Sequence, residues 1–98
     1  MLCEELKNRL CKNVRLISKW AKRNSVSCFR VYDKDLPNYP LIVDYYDGVV
    51  VAWLFERKRD ETLELKQAFY DEVYASVLAA MECEPENRVL VFYLTYSF

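Results

Sequence analysis

Ninety-eight residues, 53% hydrophobic and 15% aromatic, with one Gly and three Pro, specify one folded domain over residues 1–98 and exclude a disordered or low-complexity chain. The formal net charge of −1 hides an asymmetry. Residues 1–34 hold nine Lys/Arg against three Asp/Glu, and residues 35–98 hold five against twelve. The basic part therefore either pairs with the acidic part or faces a polyanion.

The first element expected is a helix over Glu4–Arg23. Leu6, Leu10, Val14, Ile17 and Ala21 recur at spacings of three and four and fall on one arc, with Trp20 at its margin. Arg9, Lys12, Arg15, Lys19, Lys22 and Arg23 fall on the opposite arc, with no acid among them. Asn24 is expected to stop the helix in the left-handed conformation. A strand over Cys28–Tyr32 follows, then a loop from Lys34 to Pro40 punctuated by Pro37 and Pro40. Leu41–Tyr46 and Val49–Arg57 read as two more strands joined by the hairpin signal Asp47-Gly48. The run Val49 to Phe55 is apolar at both parities, the pattern of a strand covered on both faces. A second helix is expected after a cap at Asp60 or Thr62, with Leu65, Phe69, Val73, Val77 and Met81 facing inward and Pro85 ending it. Val89–Tyr96 reads as a last strand. The order αβββαβ predicts an α/β chain of the α+β type. Its architecture is a two-layer sandwich, with a mostly antiparallel four-stranded sheet and two helices on one face.

The only Gly, Gly48, belongs to the hairpin, which leaves no glycine-rich phosphate loop. The absence of His removes the usual triads and most acid–base chemistry near neutral pH. Cys3, Cys11, Cys28 and Cys83 form no C-x-x-C pair, so neither a zinc site nor any other metal site is expected. Asp33, Asp35, Asp44 and Asp47 could be read as a carboxylate cluster, but Asp33 and Asp35 bracket a turn and Asp47 starts the Asp-Gly turn, where carboxylates serve backbone N–H groups, and no ligand triad stands at metal spacing. Tyr32, Tyr39, Tyr45, Tyr46, Tyr93 and Tyr96 offer aromatic faces, although tyrosines on strands more often pack in a core than against bases. Glu4 and Glu5, close behind Met1, leave no secretory signal visible, and the longest apolar run is too short for a membrane span. Reduced thiols, a cytoplasmic location and no membrane partner are the expectations. The six cations of the first helix are the strongest functional signal, since phosphate binding depends mostly on Lys/Arg density.

Five segments then stand in a familiar order: Asn8-Arg9-Leu10-Cys11-Lys12-Asn13, Lys19-Trp20-Ala21-Lys22-Arg23, Cys28-Phe29-Arg30-Val31-Tyr32-Asp33, Asp35-Leu36-Pro37-Asn38-Tyr39 and Val43-Asp44-Tyr45. Together they resemble the bifunctional large-subunit rRNA guanine methyltransferases, in the small α/β segment that precedes the second, Rossmann-like methyltransferase domain. The resemblance runs from about Asn8 to Val91 and is strongest from Asn8 to Tyr45. It implies an RNA-facing segment of an S-adenosylmethionine-dependent enzyme. The family's glycine-rich cofactor loop, acidic ribose-binding residue and Asp-Pro-Pro-type catalytic segment have no counterparts in this sequence. The expectation is therefore a non-catalytic, truncated or detached segment that binds no cofactor and no metal. It would contact rRNA phosphates through Arg9, Lys12, Arg15, Lys19, Lys22 and Arg23. The alternative is a protein-interaction module that docks a separately encoded methyltransferase domain or self-associates. Two helices cover only one face of such a sheet, so an apolar patch flanked by tyrosines is expected on the other, with a symmetric dimer through it.

Overall fold

The apolar arc of the first helix needs a partner surface, and the second helix and the sheet together provide it. The computed structural model describes residues 2–81 and 89–94. Helix α1 spans Glu4–Arg23, with Leu6, Leu10 and Ala21 buried. Its N-terminus is tied down by backbone rather than by a side-chain cap. The Cys3 amide donates to Ser76 Oγ at 2.8 Å, and the Ser76 hydroxyl, fully buried, donates to the Glu72 carbonyl at 2.7 Å. At the other end, Asn24 stops the helix by a route different from the expected one. Its φ is −104°, its amide and its Nδ2 both donate to the Trp20 carbonyl, and Ser25 takes the positive φ of 54°. The carbonyls of Ala21 and Lys22 are met by the amides of Val26 and Ser25, so the left-handed residue that closes the helix stands one position past Asn24.

Strands β1 (Cys28–Asp33), β2 (Leu41–Tyr46) and β3 (Val49–Phe55) form an antiparallel meander. Asp47 at φ 43° and Gly48 at φ 99° make the two-residue turn that Asp-Gly predicts. Helix α2 (Leu63–Met81) then crosses back, and β4 (Val89–Leu94) joins parallel to β3, giving sheet order β1-β2-β3-β4. A parallel neighbour requires such a crossover, and the helix supplies it. The expected fold class, order and one-sided placement of the helices are thus found. Leu6 and Leu10 of α1 and Phe69, Val73 and Val77 of α2 share one core with Val31, Leu41, Val43, Val50, Ala52 and Leu54 of the sheet.

Three details differ from the sequence reading. The strand expected to reach Arg57 ends at Phe55. Arg57 instead turns its guanidinium over the Phe69 ring, 3.8 Å from the centroid, and donates to both oxygens of Asp60 at 2.8 and 3.1 Å and to the Asn38 carbonyl at 3.0 Å. Asp60 is therefore an ion-pair partner, and Thr62 is the helix cap, its Oγ1 accepting from the Leu65 amide at 3.1 Å. Leu65 is exposed rather than inward, and Ser76 and Ala80 join Phe69, Val73 and Val77 on the buried stripe. Pro85, Thr95 and Tyr96, to which a helix end and the tip of the last strand were assigned, lie outside the described residues.

Candidate nucleic-acid interface

Six cations on one arc of a helix are a site only if the fold leaves that arc open. It does so for five of them: Lys12, Arg15, Lys19, Lys22 and Arg23 are exposed, and Arg9 is half-buried. Among the described residues none of the six is ion-paired with a carboxylate, whereas Arg30, Arg57 and Lys66 are paired with Asp44, Asp60 and Glu56. Of these pairs only Arg30–Asp44 joins the basic part to the acidic one, so the internal pairing that composition allowed spares the six. At four-residue spacing, Arg15, Lys19 and Arg23 form a row about 12 Å long, from just over two turns of a helix rising 1.5 Å per residue.

The sequence reading missed what lies beside that row. Leu16 is 60% exposed and Trp20 is 49% exposed. Leu16 falls within the cationic arc, and Trp20, four residues on, falls between that arc and the buried one. The spacing sets Trp20 at the margin of the apolar arc; the structure puts it outside the core. The available signal was its angle on the helical wheel, past the arc that α2 and the sheet can reach. Leu16 also lines an open groove of about 290 Å³ between α1 and β1, together with Asn13, Ile17, Arg30, Asp33 and Asp35. That groove is held in shape by Asn13, whose Nδ2 donates to the Val31 carbonyl at 2.9 Å and to Asp35 Oδ2 at 2.8 Å. Val31 sits where the β1–β2 register shifts, so its carbonyl is turned out of the regular ladder and takes a side-chain donor instead.

The four aspartates do separate jobs. Asp35 Oδ1 accepts from the Asp33 amide at 3.1 Å, Asp47 starts the hairpin turn, and Asp33 lies 3.7 Å from Arg30. Asp44, only 4% exposed, accepts from Arg30 Nε at 2.8 Å and from the Tyr46 hydroxyl at 3.0 Å. The hydrogen bond to Asp44 is the main cause that raises the Arg30 pKa, and it also raises that of Tyr46. Among the described residues no group of three or more Cys, Asp or Glu is placed to hold a metal ion. The tyrosines are largely internal. Tyr32 donates to the Tyr39 carbonyl and accepts from the Leu36 amide, Tyr39 donates to Glu72, and Tyr45 packs on Phe29.

The second open surface is the sheet face away from the helices. Its register places Ile42, Trp53 and Phe92 in one row and Asp44, Val51 and Leu90 in the next. Trp53 and Phe92 stack at 6.4 Å, and Leu90, Phe92 and Leu94 are exposed. Lys34 covers Phe55 at one corner, 4.6 Å from the ring centroid. An apolar surface on the open face was expected, and β3 and β4 provide it. Of the tyrosines expected to flank it, Tyr46 does so, while Tyr45 and Tyr93 pack on the helix side.

No helix among the described residues is long and apolar enough to cross a membrane. A scan of protein-family models finds no match for this chain. Fold and surface together define an α+β domain with a mixed four-stranded sheet, one cationic helix face and one uncovered apolar sheet face.

Proposed function

We propose that this chain is a non-catalytic RNA-contacting domain, related to the small segment that precedes the methyltransferase domain of large-subunit rRNA guanine methyltransferases. It holds RNA phosphates through α1. The observation that carries the proposal is the exposed row of Lys12, Arg15, Lys19, Lys22 and Arg23, which no described carboxylate neutralises. Such contacts position an RNA backbone without specifying its sequence. Free Cys3, Cys11 and Cys28 suit a reducing cytoplasm, where this proposal places the chain. Titration of a labelled rRNA fragment across a salt series tests it. Binding should weaken steeply with salt, and replacing Lys12, Lys19 and Arg23 by Gln should flatten the logarithmic slope by roughly two to three units. An unchanged slope removes α1 from the interface. On the same proposal S-adenosylmethionine is not a ligand of this chain, and calorimetric titration should show no binding.

A second reading rests on a different surface. Exposed Leu90, Phe92 and Leu94 beside the Trp53 ring favour a protein-interaction module. Its partner would be a second copy of the chain or a separately encoded methyltransferase domain.

A further inference from the structure

Exposed apolar side chains set among cations pose a question that phosphate binding alone does not answer. Lys and Arg would hold a phosphate backbone equally well without Trp20, and an indole that is 49% exposed on a helix gives up burial it could have had. Leu16 and Trp20, one turn apart, run alongside the row of Arg15, Lys19 and Arg23. The ligand that matches both rows is a polyanion that also carries flat, unpaired apolar faces, which describes single-stranded nucleic acid. A duplex presents the same charge with its base faces hidden. The groove on the β1 side borders the same row. Asp33, Asp35 and Arg30 line it beside Leu16; Arg30 stands 3.7 Å from Asp33, and both Asp35 oxygens already accept hydrogen bonds from Asn13 and the Asp33 amide, so the groove offers polar partners next to the apolar row and no open cationic track.

We infer that α1 binds single-stranded RNA, with the backbone along Arg15, Lys19 and Arg23 and one unpaired base stacked on the Trp20 indole. The inference rests on the proposed phosphate contact and adds the strandedness of the ligand and the residue that detects it. Base–aromatic stacking is tolerant of base identity, because every base has a π-face, while the stack itself contributes materially to affinity.

Three probes of equal length separate the two proposals: single-stranded oligoadenylate, the same backbone without bases, and a perfect RNA duplex. The single strand should bind about tenfold or more tighter than the abasic strand, and Trp20→Ala should remove that advantage, an effect of the size stacking supplies. Trp20→Phe should retain most of it. With Trp53→Phe making Trp20 the only indole, the single strand should quench its emission and the abasic strand should not. Equal salt-dependent binding of all three probes, insensitive to Trp20→Ala, would overturn the stacking assignment and leave the phosphate contact standing. No binding of any probe at low salt would overturn both.

Discussion

The two faces of the sheet are built from the same kinds of residue and have opposite fates. On the helix side, Val50, Ala52 and Leu54 of β3 are fully buried under α1 and α2. On the other side, Trp53 and Phe92 stack in the open, and the polar cluster of Arg30, Asp44 and Tyr46 stands next to them. Each side also has an Arg held by a buried Asp. Arg57 and Asp60 are both largely out of water, at 11% and 4% side-chain exposure, whereas Arg30 remains 51% exposed over a buried Asp44. The difference teaches that apolar content does not decide which face of a strand becomes core; the presence of a cover does.

The largest effect should come from breaking the pair on the covered side. Arg57→Ala leaves Asp60 buried without its partner and strips the cation from the Phe69 ring, and chemical denaturation should show a loss of about 3–5 kcal/mol. Arg30→Ala leaves Asp44 with the Tyr46 hydroxyl and with nearby water, so its cost should be about 1–2 kcal/mol. Equal losses would mean that the two faces are not distinguished by solvent exclusion.

The next effect in size is alkaline. Burial pushes the Tyr32 phenol up to about 12, against about 10 in the unfolded chain. The folded state therefore holds that proton more tightly. Its contribution is fully present below pH 10 and is lost as pH rises from 10 toward 12, amounting to about 2–3 kcal/mol at the top of the window. Stability measured across that range should fall for the wild type and fall less for Tyr32→Phe. Tyr39, raised chiefly by burial, adds a loss in the same direction.

The smallest effect on the isolated fold belongs to the open face. Phe92→Ser should change monomer stability by about 0.5 kcal/mol or less if its face is free in solution. If a second copy covers it, light scattering over a concentration series should show a dimer for the wild type and a monomer for the variant. A wild type that stays monomeric at every concentration removes the self-association arm of the second reading.

What was legible in the sequence follows the same division. Helix α1 could be bounded to the residue because its apolar arc is regular, and the β2–β3 hairpin because Asp47-Gly48 admits few alternatives. The end of β3 could not, since Arg57 looks like any strand residue until Phe69 and Asp60, brought close by α2, are there to receive it. Leu65 satisfies the spacing of the α2 stripe but lies on the first turn, beyond the reach of the sheet. The cationic arc was visible as a pattern, whereas the exposure of Trp20 depends on where α2 and β1 flank α1. The polar cluster around Asp44 gave no local signal at all, because Arg30 and Asp44 meet only through strand pairing.

The parallel pairing of β4 has a kinetic meaning. The β2–β3 hairpin closes over a two-residue turn, but Val50 meets Val89 only after the whole of α2 has been spanned. Closing the longer loop costs more chain entropy before any contact repays it. The meander is thus the local, early part of the folding problem and β4 the late one. Until β4 docks, the outer edge of β3 presents unpaired amides and carbonyls beside Trp53, open to the β4 of another molecule as readily as to its own. At high concentration, refolding of this chain therefore faces a choice between closing on itself and exchanging its last strand. A refolding yield of monomer that falls with concentration while slow dilution restores it would register that choice, and a yield independent of concentration would show that β4 docks before neighbours can meet.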